Sequence, residues 1–336
     1  MKFDITRQQV FPSLLTLFFM SVIGAIVLCG DDYISNEMIE SDSLLGGYIT
    51  AFQHAAPIWS ALIASSMLFV SCFRLGRRIS VQNIYSDTTS IHIPLLGVVG
   101  WCMILTEEFL LATLIFTLSS LAVDYILHAV RNGRSLTYLL NVGIALSILP
   151  LLYTPLLVMW VGVILSLILL DVTFREWIVC IMGLLLAPAI TLYILWLLGD
   201  DFMEAPRAMA QMFLEPSTLF ELSTIPLFRT AITALTTILA LLSALWFKDN
   251  LHKTTTRLQI SLTMLCCALL SLAIPSASLL SLSAAAPMIA LLASLSLVRL
   301  RGWITNVAYF MLLLLLLLAL FIPLYLPLVQ EQLPLQ

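Results

Sequence analysis

Apolar residues in this chain come in long, nearly uninterrupted runs, and polar residues collect in the short gaps between them. The first run, Phe11 to Cys29, follows Lys2 and Arg7 and ends at an acidic stretch from Gly30-Asp31-Asp32-Tyr33 to Asp42. With no small-residue cleavage site, it predicts an uncleaved span and not a removed leader. The second, Tyr48 to Phe73, ends at Arg74, Arg77 and Arg78; the third, Ile91 to Leu105, ends at Glu107-Glu108; the fourth, Phe109 to His128, ends at Arg131 and Arg134. Leu139 to Pro150 and Leu156 to Leu170 form a hairpin turning at Pro150 to Pro155, and the short first arm is expected to tilt, break or insert only in part. Trp177 to Leu198 leads into the longest polar connection, Gly199 to Thr224, and Ile225 to Phe247 returns to Lys248, Lys253 and Arg257. A second hairpin, Ile260 to Ile274 and Leu279 to Val298, turns at Pro275-Ser276 and ends at Arg299 and Arg301, after which Ile304 to Leu328 is the last run.

A bilayer core about 30 Å thick needs roughly 20 apolar residues per crossing helix, so these runs predict an all-α bundle of about eleven spans. Basic residues mark cytoplasmic loops. Threaded with the N-terminus in the cytoplasm and the C-terminus external, every lysine and arginine falls inside except Arg207 and Arg229. The acidic residues fall mostly outside; Asp4, Asp87, Asp124, Asp171, Glu176 and Asp249 are the exceptions. A wrong number of spans would scramble that segregation. No internal repeat or linker divides the chain, and residues 1–336 read as one integral membrane domain.

Composition agrees: 61% of residues are hydrophobic and 10% charged, with a mean hydropathy of +1.07, whereas a soluble domain is about a quarter charged. There is no room for a soluble domain. The six cysteines stand in apolar runs without CxxC spacing and read as packing residues. No Gly-rich phosphate loop, HExxH motif, Cys/His metal set or nucleic-acid patch is present.

Candidate chemistry lies mainly outside, where acidic residues form three groups: Asp31 and Asp32; Glu107 and Glu108; Asp200, Asp201 and Glu204. Gathered at one mouth, such carboxylates serve as a general base or bind a divalent cation; singly, they are solvated caps. Arg207 and Arg229, the two exceptions to the charge rule, have the planar fork that suits a phosphate or diphosphate, or pair with nearby glutamates or phospholipid headgroups. Residues Pro206 to Leu214 place Met209, Met212 and Phe213 on one stripe, as in an interfacial helix or a buried plug. His54 near the outer end of run two faces the same mouth or simply packs. Asp124 and His128, four apart, share a helix face near the inner boundary, as a snorkelling pair or a proton relay. The small residues Ser281 to Ala286 suit packing against a membrane-protein partner.

Two resemblances follow from short motifs. Arg77-Arg78-Ile79-Ser80-Val81-Gln82-Asn83, Phe174-Arg175-Glu176-Trp177-Ile178 and Met182-Gly183-Leu184-Leu185-Leu186-Ala187-Pro188 resemble a family of polytopic inner-membrane proteins from Bacteroidota, which implies an inner-membrane location and no particular activity. Asp31-Asp32-Tyr33 after the first span, Arg74-Leu75-Gly76-Arg77-Arg78 after the second and Glu107-Glu108 opening the fourth are similar to the start of GT-C class membrane glycosyltransferases. That resemblance implies a polyprenyl-phosphate-linked sugar as donor, with Asp31 or Asp32 as base and Arg207 or Arg229 as phosphate anchor. The chain is short for that class and lacks its soluble C-terminal domain. A transporter or flippase, or a structural subunit of a membrane complex, are the competing expectations.

Overall fold

The computed structural model describes residues 10–30, 43–81, 90–106, 108–131, 135–198, 203–214, 227–244, 252–299 and 302–332. Every regular element among them is helical. In chain order these are α1 (Val10–Leu28), α2 (Gly46–Ala55), α3 (Pro57–Val81), α4 (His92–Ile104), α5 (Phe109–Arg131), α6 (Leu136–Leu152), α7 (Val158–Leu169), α8 (Phe174–Leu198), α9 (Glu204–Leu214), α10 (Leu227–Ala244), α11 (His252–Leu270), α12 (Leu280–Arg299) and α13 (Gly302–Gln332). Among the described residues six stretches, within α1, α3, α5, α8, α12 and α11 with its following turn, are long and apolar enough to cross a membrane. Shorter apolar helices occupy the other predicted runs, in α4, α6, α7, α10 and α13.

The second predicted run proves to be two helices. Ala56 leaves the helical region, at φ −142° and ψ 64°, because it precedes Pro57, whose ring disfavours helical geometry in the residue before it. Proline then opens α3, where its missing N–H costs nothing. This helix continues through Arg74, Arg77 and Arg78 to Val81, so the arginines project from helical backbone and not from a loop. The short first arm of the hairpin is a continuous helix of 17 residues that accommodates Pro150 in its last turn.

Two helices form the axis. All of α4 is buried, and α12 is buried along nearly its whole described length. Neighbours of α4 include α1, α3, α5, α10, α12 and α13; those of α12 include α4, α5, α10, α11 and α13. Ser281, Ser283, Ala284, Ala285 and Ala286 are all fully buried, so this small-residue face packs against the chain's own helices, where the sequence had suggested an external partner. Small side chains let helix backbones approach, and hydroxyls here bond neighbouring carbonyls: Ser119 Oγ donates to Ala284 O (2.6 Å) and Ser296 Oγ to Leu239 O (2.6 Å).

On one flank α6 packs against α5, and α8 packs against α6. The α6/α8 crossing is glycine on glycine. A Cβ placed at Gly143 would stand 2.5 Å from Cys180 O and 2.8 Å from Gly183 Cα, and one at Gly183 would stand 2.6 Å from Leu140 O. Beyond this crossing α8 leaves Leu185, Leu186, Ile190, Tyr193, Ile194, Trp196, Leu197 and Leu198 exposed.

Candidate functional site

Hydrogen-bonded polar side chains tie helices together at both ends of the bundle. At the first end, α1, α4, α6 and α11 finish and α5, α7 and α12 begin. Gly24 near the end of α1 lies under the Trp101 ring near the end of α4, and Ser283 at the start of α12 meets Met103 O. The loop before α2 docks here as well, with Leu45 N–H donating to Leu151 O (3.0 Å) at the end of α6.

Backbone groups left open at helix ends are satisfied locally at this end. Gln53 of α2 is buried, and its Oε1 accepts from Leu110 N–H in the first turn of α5 (3.0 Å). Tyr153, in the turn between α6 and α7, donates its phenol proton to Ser276 O (3.1 Å) and accepts from Ser278 N–H. Ser276 Oγ in turn donates to Phe213 O (3.3 Å), which ties the end of α9 to the α11–α12 turn. Burial, helped by the nearby Glu108 charge, pushes the Tyr153 phenol above its ordinary pKa against the pull of its bond from Ser278 N–H. The phenol therefore stays a donor at neutral pH.

Of the residues singled out in the sequence, Glu108 stands immediately before α5, half-buried and within electrostatic reach of Tyr153. His54 is half-buried in the last turn of α2, next to Gln53. Arg207 is exposed on α9. Arg229 lies in the first turn of α10, its side chain outside the described residues, and Asp31, Asp32 and Glu107 also lie outside them. The cation expectation rests largely on those residues; among the described ones no three His, Cys, Asp or Glu side chains cluster as a metal site.

The opposite end holds a charge arrangement that spacing along one helix did not reveal. Asp124 pairs with α3 and not with His128. Its Oδ2 accepts from Arg74 Nε at 3.2 Å, and its Oδ1 lies 3.7 Å from Arg78 Nε. Arg74 Nη2 donates to Tyr125 OH (3.3 Å), with the guanidinium 5.4 Å from that ring's centroid. His128 sets its ring against Tyr138 of α6, 4.1 Å between centroids. In the sequence Arg74 and Arg78 read as topology markers; their spacing of four on a helix was the available sign that they share a face.

No family model, curated protein or solved structure matches this chain. The class of protein is set by its own residues: a helical, membrane-embedded protein with several apolar spans.

Proposed function

We propose that the chain crosses a bacterial inner membrane about eleven times, N-terminus inside and C-terminus outside, and transfers a sugar from a polyprenyl-phosphate donor at its outer end. One observation carries the reading: the helix ends flanking the first two acidic groups, together with α9 next to the third, collect at one end of the bundle. Asp31 and Asp32 directly follow α1, Glu107 and Glu108 directly precede α5, and α9 carries Arg207 over the same end. In the proposed step Asp31 or Asp32 takes the proton of an acceptor hydroxyl, whose oxygen bonds the anomeric carbon as the bond from that carbon to the phosphate oxygen breaks. The electron pair leaves with the phosphate, which Arg207 or Arg229 stabilises, while Glu107, Glu108 and His54 contact the substrate.

Membranes containing the wild-type chain are expected to consume a radiolabelled polyprenyl-phosphate sugar. Asp31→Asn and Asp32→Asn together should reduce that by about a hundredfold or more, the scale of general-base catalysis. Equal consumption by wild type, double variant and empty membranes removes the transferase reading. A second reading, a subunit of a larger membrane complex, has its own support in α8, which among the described helices packs chiefly on α6 and leaves its outer half exposed. Photocrosslinkers at Tyr193 and Trp196 that capture only lipid speak against it.

A further inference from the structure

Between α3 and α5, starting at the Arg74–Asp124 pair and running toward mid-helix, lies a cavity of about 340 Å³. Val70 and Ser66, on its α3 wall, are exposed, Val70 by 58%, so the cavity opens sideways from the bundle and not along its axis. In a membrane protein that opening faces lipid. This is a groove that water-soluble solutes reach poorly and lipid reaches directly.

Its walls are more polar than a lipid-facing seam requires. Polar groups in contact with hydrocarbon are costly and are held where something satisfies them. Ser71 Oγ donates to Thr117 Oγ1 (3.2 Å) across the groove. One turn further along α5, Ser120 is 3% exposed, lines the cavity and has no hydrogen-bond partner for its hydroxyl. At the charged end two guanidiniums share one carboxylate: Asp124 is buried, while the Arg74 and Arg78 side chains are 41% and 44% exposed. Among the described residues these three groups leave one positive charge beside the cavity, which Arg74 and Asp124 line and Arg78 flanks.

We propose that this groove binds one membrane lipid with an anionic phosphate headgroup. The phosphate lies against Arg74 and Arg78, a headgroup hydroxyl or phosphate oxygen takes the Ser120 hydroxyl, and the first chain carbons run past Val70. The surplus charge selects an anion, and a guanidinium matches phosphate oxygens in plane. The volume sits at the small end of the roughly 300–1,000 Å³ of ligand pockets, enough for a headgroup and the start of a chain, with the rest of the lipid in the bilayer. The lateral opening favours a lipid over free phosphate as the source. This site is at the opposite end from Glu108 and α9, so it stands or falls independently of the transferase reading.

Native mass spectrometry of the full-length chain, purified in detergent and given phosphatidylglycerol or phosphatidylcholine, tests it. Phosphatidylglycerol is expected to be retained, one per chain, in preference to phosphatidylcholine. Arg78→Gln should weaken that retention about tenfold, the value of a charge-assisted bond; Asp124 keeps Arg74 in this variant, so the fold is preserved. Val70→Trp, which fills the groove from its exposed wall without touching a charge, should abolish retention. Arg175→Gln, an exposed arginine on α8, should leave it unchanged. Equal retention of the two lipids, or retention by Arg78→Gln and Val70→Trp at the wild-type level, overturns the proposal. Loss of bound phosphatidylglycerol to millimolar inorganic phosphate would show a free-anion site and overturn the lipid assignment as well.

Discussion

At the scale of single residues, Asp124 is the most constrained charge among the described side chains. It is buried, and its cost of desolvation is offset by Arg74 and Arg78 together. Removing one partner of a fully buried pair costs about 3–5 kcal/mol. Both arginines here are partly exposed and can rehydrate when the carboxylate is lost, so Asp124→Ala is expected to destabilise by about 2 kcal/mol, read as a lowered midpoint of thermal unfolding in detergent. His128→Ala should leave the Arg74–Asp124 contact in place, and a double-mutant cycle between Asp124 and His128 should show coupling near zero. Coupling of about 1 kcal/mol or more would restore the pairing that their spacing of four suggested.

Among elements, the α6/α8 crossing is the contact most sensitive to a single atom. A side chain at Gly183 meets the α6 backbone, which cannot swing aside as a flexible side chain would. Gly183→Leu is therefore expected to separate α8 from α6, at a cost of at least the 1–3 kcal/mol typical of overpacking. Crosslinking reports it directly: a cysteine pair introduced at Leu140 and Leu184 should join in the parent and fail in Gly183→Leu. Efficient joining in both would show that the crossing tolerates bulk. Hydropathy foretold that both helices exist, but not that they touch. Lipid tails are as apolar as a helix partner, so an apolar residue facing lipid and one facing a neighbour look alike in sequence. For the same reason α8 and α12 both read as ordinary spans, although one is exposed along most of its length and the other forms the axis. The break at Ala56 was legible, since Pro57 announces it, yet the continuous apolar run across it masked the signal.

For the whole molecule, the question is which end faces the cytoplasm. In spheroplasts of a cysteine-free variant, a membrane-impermeant maleimide is expected to label Pro275→Cys, in the α11–α12 turn. Thr173→Cys, between α7 and α8, should be labelled only after permeabilisation; both positions are exposed. The reverse pattern would invert the proposed orientation, and labelling of both from one side would change the number of spans. The order of apolar runs and the segregation of charge between alternate gaps were determined by the sequence alone. Crossing hydrocarbon demands an unbroken apolar helix, and the positive-inside bias acts on short stretches of chain, so both are local properties. Packing between helices is what puts α4 and α12 at the axis, lets Tyr153 tie two turns together, and gives Asp124 to Arg74 and Arg78, some fifty positions away. Those contacts depend on which helix faces meet, and in a chain whose interior and surroundings are equally apolar, hydropathy carries no record of that choice.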